Sequence, residues 1–248
     1  MPDLDNLTEL LIGSEHIDED ELSQTADLLR RAGRYDLIDR LTAGLLLKHG
    51  DNDTVLLMRA WYLTDIEHRY ADAGNILRTT ERDDNAMHVV LRATITLKTS
   101  YDAYTADDIL ETFTTANPET LNEVAIEAAR LFVSEQYTDL AEKWIMKYHG
   151  QEDYDYLMVH AEVMMQKEEY AEASDLYRKV LRTEPADTDA WNRLTDAYIN
   201  RKEYETAVDT ARHSLAIDGN FKAQENIRLC MLCMNRHNKK TFNNQKHK

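Results

Sequence analysis

Six tyrosines recur at an almost constant interval along this chain: Tyr35, Tyr70, Tyr104, Tyr137, Tyr170 and Tyr204. The steps between neighbours are 35, 34, 33, 33 and 34 residues. A period of this length is typical of stacked helical hairpins, in which each hairpin needs its neighbours to bury its apolar face. The period therefore predicts an all-α fold built from about six hairpins.

The composition agrees with a helical fold and argues against membrane spans and nucleic-acid partners. The 248 residues include only seven glycines and three prolines, and residues with high helix propensity dominate. No run of about 18 apolar residues is present, so no membrane span is predicted. The start of the chain lacks the features of a secretory signal, so we expect a cytoplasmic protein. The net charge of -17 disfavours binding to nucleic acid.

The charge is concentrated at the two ends of the chain. Residues 1–21 contain eight carboxylates and no lysine or arginine. We expect residues 1–18 to be an acidic segment with a short helix at 3–12. Residues 238–248 carry only basic charge, and a disordered tail is predicted there.

The repeat is clearest between residues 154 and 221. Apolar residues follow a helical period, and a short polar break separates the two helices of each unit. Pro185 is expected to stop one helix, and Asp187 or Thr188 to cap the next. The pattern positions of the last unit are Trp191, Leu194, Tyr198, Ala207, Ala211 and Ser214, and those of the unit before are Leu157, Ala161, Tyr177 and Pro185.

These positions resemble the pattern of the tetratricopeptide repeat family, and the resemblance weakens towards the N-terminus. It implies a right-handed superhelical stack of antiparallel hairpins, an α-solenoid. The predicted hairpins are 19–52, 53–86, 87–120, 121–153, 154–187 and 188–221. Residues 222–237 are predicted to form a helix that caps the last hairpin with Ile227, Cys230, Met231 and Met234.

No motif points to catalysis or to a cofactor. Glycine-rich phosphate loops, nucleophile elbows and zinc-protease motifs are absent from the sequence, and the nine histidines are dispersed. Cys230 and Cys233, with His237, could supply zinc ligands, but a structural site needs a fourth ligand. Their place in an apolar helical stripe favours core packing. We therefore expect a protein that is not an enzyme and holds no metal or cofactor.

The resemblance implies a concave groove lined by the first helix of each hairpin, which accepts a segment of a partner protein. The expected groove is apolar in its middle and acidic at one end. Its predicted residues are Leu57, Trp61, Leu91, Ile95, Asp155, Met158, Glu162, Met165, Asp189, Asn192, Asp196 and Ile199. Such a surface would prefer an apolar peptide segment with basic flanks.

Three functions remain open at this point. The first is a scaffold or adaptor that binds a peptide segment in the groove. The second is a self-assembling structural protein, in which another copy of the chain fills the groove or covers the helix at 222–237, so a homo-oligomer is possible. The third is a secretion or folding chaperone of the helical-repeat type.

Overall fold

The computed structural model of the chain describes residues 3–50, 52–80 and 85–245, with side chains except at 19, 27, 31 and 236–245. This part of the chain contains α-helices, one 3-10 helix at Pro118–Thr120 and no β-strand, which confirms the predicted all-α fold class. The α-helices are α1 (Leu4–Gly13), α2 (Glu19–Arg31), α3 (Tyr35–His49), α4 (Asp53–Asp65), α5 (Tyr70–Leu77), α6 (Ala86–Ser100), α7 (Ala103–Ala116), α8 (Leu121–Ser134), α9 (Thr138–Ile145), α10 (Tyr154–Gln166), α11 (Tyr170–Thr183), α12 (Thr188–Asn200), α13 (Tyr204–Asp218) and α14 (Phe221–Gln245).

Helices α2 to α13 follow one another as six pairs, and each pair lies within one residue of a predicted hairpin window. We call the first helix of a pair the leading helix and the second the trailing helix. The chain forms two compact units, one within residues 1–124 and one within residues 125–248. In each unit a trailing helix packs both on its own leading helix and on the next one, as α11 does on α10 and α12.

The tyrosine period marks the turn inside each hairpin. Every such turn contains one residue in the left-handed backbone region: Gly33, His68, Tyr101, Gln136, Glu168 and Lys202. After Glu168, for example, the N–H of Glu169 donates to the carbonyl oxygen of Met164 at 2.9 Å, which closes a Schellman motif. The trailing helix then begins at once, with tyrosine as its first residue in four hairpins. The periodic tyrosines are therefore markers of helix starts.

The leading helices α2, α4, α6, α10 and α12 begin with a short polar side chain that caps free backbone N–H groups. Asp153 accepts from the N–H of Tyr156 at 2.9 Å, and Asp187 accepts from that of Ala190 at 3.0 Å. Asp18, Asn52 and Asn85 cap α2, α4 and α6 in the same way. Removing such a cap typically costs about 1 kcal/mol. Part of the acidic composition thus serves helix initiation.

The first unit ends in α1, which packs on α3 and α2. Gly44 of α3 permits this approach, because a Cβ at that position would lie 2.9 Å from Cδ1 of Ile12. Lys48 Nζ donates to the carbonyl oxygen of Gly13 at 2.5 Å, and Arg34 bonds Asp5 at 3.2 Å. The short helix expected at 3–12 is thus α1, and it covers one end of the first unit.

The second unit ends in α14, which packs on α13 and α12. Its packed side consists of Ala223, Asn226 and Cys230, all buried, while Ile227 and Met234 are half-buried. The sequence prediction is wrong for Met231, which is 45% exposed because it lies off this side. The helix also continues to Gln245, where the sequence predicted a disordered tail; residues 246–248 lie outside the described residues.

Candidate partner-binding face

In the first unit, half of the predicted groove residues belong to the core. Leu57 of α4 and Leu91 of α6 are each 3% exposed. They pack in one apolar cluster that runs from α1 to α6, because the adjacent leading helices α4 and α6 contact each other directly. Leu57 and Leu91 are therefore corrected from groove to core. Trp61 and Ile95 pack against the same cluster but stay half-buried, so part of each side chain is accessible.

In the second unit, the leading helices α10 and α12 carry the remaining predicted residues. Met158 is 7% exposed and is also corrected from groove to core. Met165 of α10 and Ile199 of α12 occupy matching positions near the ends of their helices, and both are half-buried. They supply the accessible apolar surface among the predicted residues of this unit.

The predicted acidic groove residues of the second unit do not form a patch of unpaired negative charge, because basic side chains pair with them. Arg130 Nη2 of α8 lies 2.9 Å from Oδ1 of Asp155 on α10. Arg193 of α12 pairs with Glu162 of α10 and, through Nε at 2.8 Å, with Asp189 on its own helix. Each ion pair between helices joins one leading helix to the next.

The predicted residues of α12, the last leading helix, form hydrogen bonds and an ion pair with α14 and its neighbours. Asp196 lies 3.1 Å from Lys222 Nζ and accepts a hydrogen bond from Asn226 Nδ2, also at 3.1 Å. Asn192 is likewise engaged, since it accepts from Ser214 Oγ of α13 at 3.0 Å and donates to Oδ1 of Asn220 at 3.3 Å. These bonds hold α14 in the position that a further leading helix would occupy.

Burial and pairing shift the proton affinities of the central pair. Burial raises the pKa of Glu162 above its ordinary value, and the charges of Arg193 and Arg130 offset this only in part. Burial also acts to lower the pKa of Arg193, but the charge of Glu162 and the hydrogen bond to Asp189 outweigh it, and the pKa is raised.

We call the surface formed by Arg130, Asp155, Glu162, Met165, Asp189, Arg193, Asp196, Ile199 and Lys222 the leading-helix face. The sequence prediction missed its three cations, Arg130, Arg193 and Lys222. One signal was available, because Arg193 follows Asp189 by four residues and such pairs meet on a helix. The pairs between helices join residues 25 to 31 apart, and no local pattern indicates them.

A separate cleft of about 630 Å³ lies between the trailing helices α11 and α13. Its floor includes Trp191, whose ring stacks on His213 at a centroid distance of 4.9 Å. Trp191 Nε1 also donates to the carbonyl oxygen of Pro185 at 2.9 Å. The aromatic residue of the repeat pattern therefore holds the hairpin together at this place.

The geometry thus defines a helical-hairpin repeat protein with a partly apolar, ion-paired face. Comparison with known proteins agrees: residues 164–225 match the family model described as Tetratricopeptide repeat. Over these residues the resemblance seen in the sequence is confirmed. Among curated proteins, none matches the sequence.

Solved structures of similar fold extend the likeness to nearly the whole chain. Yeast Tom70 superposes with a TM-score of 0.62 at 15% identity, over 96% of this chain and 48% of Tom70. The APC/C hetero-tetramer Cut9-Hcn1 gives a TM-score of 0.56 at 14% identity, over 92% of this chain and 45% of the matched chain. A tetratricopeptide repeat protein from Parabacteroides merdae ATCC 43184 has a TM-score of 0.46 at 14% identity, with 86% and 98% covered.

The chain thus spans about half the length of the first two of these structures. At such identities the likeness concerns the fold alone.

Two further observations apply to the described residues. None of their helices is long and apolar enough to cross a membrane. They also contain no group of three or more side chains suited to hold a metal ion. A cytoplasmic location stays a prediction of the sequence.

Proposed function

We propose that this protein is a non-enzymatic scaffold that binds a segment of a partner protein on the leading-helix face of its second unit. One observation carries the proposal: Met165 and Ile199 leave apolar surface accessible on adjacent leading helices, beside a row of paired charges. Apolar area removed from water contributes about 25 cal/mol per Å² to binding, before ordering costs are subtracted. The paired charges supply direction and register.

The charge balance of the face sharpens the expected chemistry of the partner. With Glu127, which lies 3.4 Å from Arg130, the face holds five carboxylates against the three cations Arg130, Arg193 and Lys222. The residual charge is negative, so a segment with an apolar centre and basic flanks remains the best fit. Because most carboxylates already have a partner, we expect the affinity to fall only modestly as salt rises.

The proposal is tested by affinity purification with matched variants. The full chain and its Met165→Ser, Ile199→Ser variant are used to recover partners under identical conditions. Arg182→Glu serves as the control, because Arg182 is exposed on the trailing helix α11 at the rim of the other cleft. Circular dichroism establishes that all three proteins have equal helix content.

A partner that binds the full chain and the Arg182 variant but is lost with the Met165 and Ile199 variant supports the proposal. A partner retained by that variant and lost with Arg182→Glu would move the binding site to the trailing helices and contradict the proposal.

Self-assembly is the second candidate function, and the exposed side of α14 favours it.

A further inference from the structure

The exposed side of α14 carries a stripe that no other part of the described chain covers. Phe221 is 74% exposed and Leu232 is 51% exposed, and Glu225 and Arg228 between them are exposed as well. The spacing of the four residues is 4, 3 and 4, which is the spacing of a coiled-coil contact line. At 3.6 residues per turn, the four side chains fall within about 60° of one another.

This stripe lies on the side of α14 opposite its packed residues. Ala223, Asn226 and Cys230 face α12 and α13, and Cys230 is fully buried there. The centres of the two sides differ by roughly 160° around the helix axis. The stripe can therefore be covered without disturbing the contact that caps the second unit.

The order of the residues makes the stripe complementary to itself. Read in either direction it is apolar, charged, charged, apolar, and the two charges have opposite sign. When two such helices pack antiparallel about a two-fold axis between Glu225 and Arg228, Glu225 of one copy meets Arg228 of the other. The same axis sets Phe221 against Leu232 of the second copy. Both contacts occur twice, as a two-fold interface requires.

We propose that this stripe is a homodimer interface, in which α14 of one copy packs antiparallel on α14 of a second copy. We assign another copy of this chain as the binding partner, because the stripe is complementary in charge to an antiparallel copy of itself. A contact between two short helical segments is small, so a dimer with a dissociation constant of about micromolar or weaker is expected. The stripe shares no residue with the leading-helix face, and the two proposals stand or fall separately.

Sedimentation equilibrium of the full chain over a wide concentration range tests the dimer. The weight-average mass is expected to rise from 28.8 kDa towards twice that value as the concentration increases. Glu225→Arg sets two pairs of like charge against each other in the dimer, and Arg228→Glu does the same with opposite sign. Each is expected to raise the dissociation constant at least about tenfold.

Variants that restore the charge complementarity between the two helices provide the decisive experiment. The double variant Glu225→Arg, Arg228→Glu again pairs opposite charges and should dimerise like the original chain. An equimolar mixture of the two single variants should form a heterodimer, because one stripe is then wholly basic and the other wholly acidic.

A matched pair of leucines controls for general effects on the helix. Leu229 and Leu232 are 47% and 51% exposed, but only Leu232 lies on the stripe. Leu232→Ser should weaken the dimer, whereas Leu229→Ser should not. A mass that stays at the monomer value at every concentration would overturn the proposal. A dimer that ignores both charge reversals, or a mixture that fails to associate, would also overturn it.

Discussion

The two units of this protein use the same hairpin but join neighbouring leading helices by different forces. In the first unit, α4 and α6 meet through apolar side chains such as Leu57 and Leu91, which are almost wholly buried. In the second unit, α10 and α12 are linked by the ion pair of Glu162 with Arg193. Apolar surface that joins helices is removed from solvent, whereas paired charges at the surface stay reachable. Leu57 and Leu91 are therefore structural, whereas the paired charges of the second unit stay available to a partner.

The largest expected effect tests the assignment of Leu57 to the core. Leu57→Ala should lower the free energy of unfolding by about 2–5 kcal/mol, because it leaves a cavity in a packed cluster. Met165→Ala, at a half-buried position of the second unit, should change it by less than about 1 kcal/mol. Denaturant unfolding followed by circular dichroism measures both. Equal effects of the two substitutions would remove the difference between the units.

The second prediction concerns the ionic link. Arg193→Met should lower the free energy of unfolding by about 1–2 kcal/mol, because Glu162 loses its partner in a partly buried place. Adding Glu162→Gln should recover much of that loss, because the partly buried carboxylate is then neutral and Asp189, the other partner of Arg193, is exposed to solvent. Arg212→Ala is the control, because its pair with Asp209 is well exposed and contributes roughly 0–1 kcal/mol.

These two predictions show what the sequence could and could not indicate. The hairpins were predictable because turns and caps are local: each tyrosine follows a left-handed turn by one to three residues. The burial of Leu57, Leu91 and Met158 could not be predicted, because a leading helix has neighbours on several sides. Helical periodicity alone does not tell which side the next leading helix covers. The pairs of Arg130 with Asp155 and of Lys222 with Asp196 depend on that same packing.

The third prediction tests the turn that both units share. Glu168 and Lys202 have positive φ angles of 62° and 63°, where a side chain is strained. Replacing either with glycine should raise the free energy of unfolding by up to about 1 kcal/mol. His68→Gly should act alike in the first unit, whereas Gly33→Ala should destabilise by a similar amount. Thermal unfolding of the four variants measures this, and a loss of stability in all the glycine variants would contradict it.

The smallest effect is the contribution of His160, in the second unit, to the pH dependence of stability. Burial lowers the pKa of His160 below its ordinary value of 6.5, although nearby Glu172 and Glu152 act in the opposite direction. The unfolded chain therefore binds the proton more tightly than the folded one. Stability should fall as pH drops below about 6.5 towards the lowered pKa.

His160→Phe keeps an aromatic ring beside Tyr156, whose ring centroid lies 5.3 Å from that of His160. This variant should lose less stability than the original chain when the pH is lowered from 7 to 5. Unfolding curves recorded at both pH values measure the difference. Identical pH profiles would show that His160 carries no such linkage.

The most direct test of the account is site-specific photo-crosslinking with the partner that affinity purification recovers. A photoreactive side chain is placed at Ile199 on the leading-helix face or, as the control, at Arg182 on the trailing helix α11. A crosslink to the partner is expected from Ile199 and none from Arg182. A crosslink from Arg182 alone would contradict it, because the partner would then occupy the side of the second unit that trailing helices form.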